Sequence, residues 1–321
     1  MEDLAMSDKI VLLSSPQMST IADEMISLRN GKRILERGHI EWDHFPDGTP
    51  KTRFLKSEEL RDRDVAYLAC FDPFGSITEQ MMALGHMLGQ YNPRSLKFIL
   101  PFYPTGTMDR WEKPGEVVTA KQLANQFISL PKKSRVEIII YDIHALQEES
   151  FFHVDFTVTI QSAVSALMDH IESLENVSIA YPDEGAYKRY KHYFKGLPEI
   201  TCEKRKNDKG GKQVWVREGD PKDRHVFIID DLILTAGTGI LAQRALLEKG
   251  ASEVSWFAAH GAFPENSWEK VSQAGFSEVW ITDSCPQMAQ KLRGIKPFKI
   301  MPLAPIITDL LSNEFDFTRS R

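Results

Sequence analysis

The run Val226-Phe227-Ile228-Ile229-Asp230-Asp231-Leu232-Ile233-Leu234-Thr235-Ala236-Gly237-Thr238 sets two acids after an apolar stretch, then a loop of small and hydroxyl-bearing residues. Four apolar residues rich in β-branching predict a buried strand, and the small residues let the backbone turn tightly into the helical pattern that follows. Such a turn directs N–H groups at an anion, while Asp230 and Asp231 can accept hydrogen bonds from neighbouring hydroxyls. That pairing of chemistries suits a sugar phosphate. Locally it is also compatible with an ordinary strand-to-helix turn carrying two capping acids.

Other residues of chemical interest follow other apolar runs. Asp142 and His144 come after 136–141, Asp183 and Glu184 after 177–181, and Asp109 and Arg110 after residues 101–107. In a parallel α/β sheet, ligands bind beyond the carboxyl ends of the strands, so these positions converge on one edge. A lone histidine there is more often structural than functional. Lys204-Arg205-Lys206 opens a cationic, glycine-containing stretch that runs to Lys212. It is expected to be a mobile turn, either a solvated tip or a flap over polyphosphate. Phosphoryl transfer needs positioned cations and a divalent metal more than a strong base. His144 and Asp183 could help to hold Mg²⁺, which keeps several waters and uses few protein ligands. The chain has neither a Walker loop nor a kinase glycine loop.

The elements that must place these residues follow a βαβ rhythm. Apolar runs at 10–13, 65–70, 96–100 and 136–141 alternate with helical patterns at 18–28, 78–88 and 120–127. The rhythm recurs with strands at 177–181, 226–229, 254–259 and 279–282 and helical patterns at 163–171, 184–193 and 240–248. Two mainly parallel sheets flanked by helices are expected, hence an α/β protein. Asp62-Arg63-Asp64-Val65-Ala66-Tyr67-Leu68 echoes Asp223-Arg224-His225-Val226-Phe227-Ile228-Ile229, which suggests that the two halves share a topology. We place the boundary near Phe156, giving domains 1–156 and 157–303. A short C-terminal helix within 304–321 is expected to return to the first of them.

Composition narrows the functional classes. The chain has 321 residues, 42% hydrophobic and 26% charged, enough for about two globular domains. Lys and Arg number 39 against 45 Asp and Glu, a net charge of −6 that argues against a general nucleic-acid or anionic-membrane binder. Cys70, Cys202 and Cys285 lack metal-ligand spacing and fit buried thiols in a reducing compartment. No apolar run approaches the ~18 residues of a membrane span, and residues 1–9 have no signal or transit character, so a cytoplasmic location is expected.

Taken in order, the motifs resemble the ribose-phosphate diphosphokinase (phosphoribosyl pyrophosphate synthetase) family along nearly the whole chain. They are Phe45-Pro46-Asp47-Gly48, the segment from Leu100 to Arg110, Thr119-Ala120-Lys121, Asp142-Ile143-His144-Ala145, and Pro182-Asp183-Glu184-Gly185-Ala186 with Lys188-Arg189. The Lys204 segment, Gly219-Asp220-Pro221-Lys222-Asp223-Arg224 and the Asp230 loop complete the series. Pro104-Thr105-Gly106-Thr107, Asp142 through Glu148, and Trp280-Ile281-Thr282-Asp283-Ser284-Cys285-Pro286 resemble the plant-type class II variant in particular.

The resemblance implies two similar phosphoribosyltransferase-like domains. It implies Mg²⁺-dependent transfer of a diphosphoryl group from ATP to the C1 hydroxyl of ribose 5-phosphate, giving phosphoribosyl pyrophosphate and AMP. Carried over by position, Phe45 and Asp47 would reach the adenine of a neighbouring subunit, and Asp109, Arg110 and His144 would meet ATP. His144 and Asp183 would serve the metal. Lys204 and Lys206 would stabilise the transition state. Asp230, Asp231, Thr235, Ala236, Gly237 and Thr238 would bind ribose 5-phosphate. A shared adenine site implies a homo-oligomer, a trimer or hexamer, with or without paralogous subunits. Three departures stand out. Thr107-Met108 replaces the Arg-Gln of class I, Leu234 replaces the last acid of the sugar loop, and Leu146 stands where class I has the Ser that helps to bind regulatory phosphate. A non-catalytic regulatory paralogue and a phosphoribosyltransferase are the competing readings.

Overall fold

The computed structural model describes residues 9–28, 33–72, 74–206 and 212–313. The chain divides into two compact units, one formed by residues up to Gln161 together with those from Pro302 onward, the other by Ser162–Met301. In the first, near-continuous apolar runs form a sheet buried on both faces, as parallel strands covered by crossover helices require. Its elements are β1 (Lys9–Ser14), α1 (Ser19–Ser27), β2 (Ile34–Arg37), β3 (His39–Glu41), β4 (Arg53–Leu55) and β5 (Asp64–Leu68). There follow α2 (Ser76–Gln90), β6 (Ser95–Leu100), α3 (Thr119–Gln126), β7 (Arg135–Tyr141) and β8 (Thr157–Gln161). The sheet runs β2-β1-β5-β6-β7-β8 with every pair parallel, and β3 and β4 form a separate antiparallel pair. Alternate residues Tyr67, Phe98 and Ile138 face a core that includes Leu84 and Met87 of α2 and Leu123 of α3. Because β8 pairs with β7, this unit continues past Phe156 to Gln161.

The second unit contains α4 (Met168–Glu172), β9 (Val177–Tyr181), α5 (Glu184–Tyr190), β10 (Glu199–Lys206), β11 (Lys212–Glu218), β12 (His225–Ile233) and α6 (Gly237–Glu248). It is completed by β13 (Glu253–Gly261), α7 (Trp268–Ser272), β14 (Val279–Thr282), α8 (Pro286–Leu292) and β15 (Phe298–Met301). The strand order is β11-β10-β9-β12-β13-β14-β15, parallel throughout except between β10 and β11. Helix α6 lies against the sheet through Gly239, where an added Cβ would stand only 2.2 Å from the Trp256 ring. After β15, α9 (Ala304–Asn313) returns to the first unit and packs on α1.

Leaving β11 aside, the two sheets have one strand order, with the second strand outermost, the first beside it and the remaining four following in turn. The echoed segments enter their sheets identically. Asp62 and Asp223 both adopt left-handed backbone, at φ 55° and 57°. The carbonyl of the next residue then accepts from the residue just before the following strand, Arg94 N–H to Arg63 at 2.9 Å and Ser252 N–H to Arg224 at 3.0 Å. The repeat expected from the residues is therefore a repeat of topology. Among the described residues, no helix is long and apolar enough to cross a membrane.

Candidate functional site

Asp230 and Asp231 lie within β12 rather than after it. On one side β12 stops pairing with β9 at Ile228, opposite Ala180. On the other it continues beside β13 through Ile233, opposite Gly261. Both acids thus stand beyond the carboxyl end of β9, where α5 begins. The apolar run 226–229 predicted a shorter strand, since two adjacent carboxylates argue against burial unless a cation compensates them. The cation is Arg189, on the last turn of α5. Its guanidinium donates to Asp231 Oδ1 in a short contact and lies 4.0 Å from Asp230 Oδ1. Asp230 Oδ1 also accepts the Asp231 N–H at 3.0 Å.

The electrostatics follow from this packing. Burial, then the charges of Asp231 and Asp183, push the Asp230 carboxyl well above the ordinary carboxylate range, and Arg189 opposes that shift only in part. Burial disfavours the Arg189 charge, but Asp231 first and then other neighbours including Asp230 and Asp183 outweigh it and raise its pKa.

Beyond the strand, Leu234 is partly exposed and its carbonyl accepts from Ser267 Oγ at 2.5 Å, which anchors the turn. Thr235 and Gly237 are exposed. Ala236 is buried in the left-handed region at φ 63°, an uncommon conformation for a residue with a Cβ. It caps α6, so the first-turn amides of Gly237, Thr238 and Gly239 open toward the loop, with the helix dipole behind them. A helix start of small and hydroxyl-bearing residues beside two carboxylates is chemistry that suits an anion next to hydroxyl groups.

Asp183 caps α5, accepting the Ala186 N–H at 3.0 Å on Oδ1, while Oδ2 pairs with Lys204 Nζ at 3.2 Å. Lys204 belongs to β10, opposite Val214 of β11. The cationic stretch expected as a loop from Lys204 onward therefore begins as a hairpin strand, and its tip, 207–211, lies outside the described residues. Lys206 is the last residue of β10, and its side chain also lies outside what is described.

In the first unit, β6 leads into residues 101–110 and β7 into Asp142, Ile143 and His144. These two loops are tied together, since Gln147 donates to Asp109 Oδ2 at 2.6 Å. The buried Glu148 accepts the Ala145 N–H at 3.0 Å, which fixes the backbone after His144. Arg110 is exposed and His144 half-buried. Phe45 and Asp47 occupy the tip of the β3–β4 pair, apart from the six-stranded sheet. Phe45 is 49% exposed with Lys51 Nζ 5.5 Å from its ring centre, and Asp47 accepts the Thr49 N–H at 3.0 Å. That bond holds the Asp47 carboxyl below its ordinary range.

The structure thus gathers Asp183, Lys204, Asp230, Asp231 and the 235–238 turn in the second unit, and Asp109 and His144 on adjoining loops of the first. Motif reading left Arg189 without a role. Its signal was the i, i+4 spacing from Gly185, which stacks both on one face of α5 above Asp183.

Among the described residues, no group of three or more His, Cys, Asp or Glu side chains is placed to hold a metal. A cation needing such a cage does not fit. Mg²⁺ does, because it retains water and shares phosphate oxygens, and Asp183 supplies a hard, 40% exposed carboxylate.

Comparisons with known proteins agree with this architecture. Residues 209–313 match the phosphoribosyl synthetase-associated domain model. The chain is 34% identical over 318 residues to ribose-phosphate pyrophosphokinase 3, mitochondrial, of Spinacia oleracea, covering 95% of this chain and 77% of that protein. It is 37% identical to ribose-phosphate pyrophosphokinase 4 of Oryza sativa subsp. japonica, covering 85% of this chain and 87% of the relative. A crystal structure of phosphoribosylpyrophosphate synthetase from Mycobacterium smegmatis superposes with a TM-score of 0.79 at 22% identity, covering 94% and 97% of the two chains. With the duplicated topology and the paired acids at the end of β12, these relationships show that the chain belongs to the ribose-phosphate pyrophosphokinase family.

Proposed function

We propose that this chain is a ribose-phosphate diphosphokinase that transfers the β,γ-diphosphoryl group of ATP to the C1 hydroxyl of ribose 5-phosphate. The observation that carries the reading is the join of the Asp230-Asp231 pair to the 235–238 anion cradle. It offers acceptors for two sugar hydroxyls and N–H donors for a phosphate on one continuous segment. The C1 oxygen attacks the β-phosphorus, the bond from that phosphorus to the α,β-bridging oxygen breaks, and AMP leaves as the hydroxyl proton is lost.

In this reading Asp230 and Asp231 orient the pentose, and Thr235, Gly237 and Thr238 bind the 5-phosphate. Lys204 neutralises the phosphoryl oxygens as charge moves toward AMP, which is electrostatic stabilisation by a placed cation. Lys206 is assigned the same task. Asp109, Arg110 and His144 meet ATP from the first unit. Mg²⁺ when bound would withdraw charge from the transferred phosphates; Asp183 of the second unit would hold it, and His144 of the first is assigned to it by its motif. Phe45 and Asp47, on an exposed tip, are assigned to the adenine of an adjoining subunit, which calls for a homo-oligomer. Leu146, half-exposed where class I has a serine, supports activity without added phosphate. The burial of the Cys70 and Cys202 thiols supports a structural role for them, and the cytosol is our reading of the compartment.

The test is the fate of label from ATP. With γ-³²P-ATP, Mg²⁺ and ribose 5-phosphate, the label is expected in the pyrophosphate of the sugar product. Label released as inorganic phosphate, or left in ATP, would count against the reading.

A further inference from the structure

Three carboxylates converge at the head of α5, and Lys204 is bonded to one of them, Asp183. The other two, Asp230 and Asp231, share Arg189. Arg189 is itself only 10% exposed, and Asp231 only 3%. Gly185 lies beside Asp183 and Arg189, since a Cβ there would crowd Asp183 Oδ1 at 3.2 Å and stand in ordinary contact with Arg189 Nη1 at 3.5 Å. Two adjacent like charges at the end of one strand repel each other and turn apart unless a cation between them cancels the repulsion. A planar guanidinium does this in a fixed geometry that a lysine ammonium does not reproduce.

We propose that Arg189 is a positioning residue that holds the Asp230 and Asp231 carboxylates in the orientation that accepts the hydroxyls of the pentose phosphate. The role rests on the ribose 5-phosphate reading above. Arg189 contacts neither the sugar nor the reacting phosphorus in this account. It acts through the two acids, which are ordered before the sugar arrives, so less freedom is lost on binding. Its loss therefore falls on sugar affinity and leaves the affinity for ATP as it was.

The test compares the full-length wild type with Arg189→Met and Arg189→Lys by calorimetry against ribose 5-phosphate and against Mg-ATP, with steady-state constants for each substrate alongside. Arg189→Met is expected to weaken ribose 5-phosphate binding by about tenfold or more and raise its KM alike, with ATP constants within about twofold of wild type, and Arg189→Lys to fall between. If Arg189→Met does not fold, Arg189→Lys carries the test, with sugar affinity about threefold or more weaker at an unchanged melting temperature. Unchanged sugar affinity in the folded variants, or equal losses toward both substrates, would overturn the proposal. A wild type that binds ribose 5-phosphate but forms no AMP would overturn the activity reading alone, because the calorimetric comparison still decides Arg189. A wild type that does not bind the sugar would overturn both.

Discussion

Lys204 Nζ lies 3.2 Å from Asp183 Oδ2, so a cation of the β10 hairpin and the cap of α5 are paired in the second unit. Both side chains are more than a third exposed, at 36% and 40%. An exposed pair of this kind contributes under about 1 kcal/mol to stability, after screening. Its importance is positional, because it keeps this cation beside the carboxylate assigned to Mg²⁺.

Lys204→Ala should therefore separate stability from activity. Turnover is expected to fall about 10²- to 10³-fold, as when one transition-state donor is removed. The melting temperature should stay close to wild type. AMP release and thermal unfolding on the same preparation check both, and an unchanged rate would remove Lys204 from the chemistry.

Asp230→Asn should stabilise the protein while weakening it as an enzyme. Burial and the Asp231 and Asp183 charges hold the Asp230 pKa above its unfolded value, so the folded state binds the extra proton between the two values. Stability from this group is then lost as pH rises through that window, and recovered as pH falls toward the ordinary aspartate value of 3.8. The amide cannot ionise and escapes the loss. Melting temperatures measured across pH should show Asp230→Asn above wild type at neutral pH, with the difference closing in acid. Ribose 5-phosphate binding should weaken at neutral pH. A stability difference that grew in acid would contradict the assignment.

Gly239→Ala tests the seating of α6. The new methyl would overlap the Trp256 ring, which is buried and has no free space on that side. Overpacking of this kind costs about 1–3 kcal/mol and is relieved by moving the helix. Because the same helix start is assigned to the 5-phosphate, ribose 5-phosphate affinity should fall with stability, whereas Ala245→Gly, farther along α6, should lower stability with less effect on binding. Equal binding losses for the two variants at equal stability loss would argue against the cradle.

Much of this architecture was legible in the residues because parallel strands buried on both faces read as unbroken apolar runs. Val65, Leu96, Val136, Val177 and Val254 each lie at or near the start of a strand that the pattern predicts. Some short or mixed strands were not legible, although the four-residue β14 was. β8 (Thr157–Gln161) alternates threonine with apolar residues at a sheet edge, and β15 (Phe298–Met301) is four residues with a lysine among them. The end of β12 was misjudged for an electrostatic reason, since its acids are tolerated in the strand only because Arg189 reaches them from another element. Residues 163–171 carry a helical pattern, yet the first part, Ala163–Leu167, winds as a tighter helix with about three residues per turn before α4 begins. The sugar loop was legible through its residue types, but the Ser267 bond to Leu234 depends on a turn far along the chain.

The most direct test is the initial rate of AMP formation from Mg-ATP, with ribose 5-phosphate present or absent and without added inorganic phosphate. We expect AMP to appear only with the sugar, mole for mole with phosphoribosyl pyrophosphate. No AMP above the sugar-free control, with or without phosphate, would contradict the account.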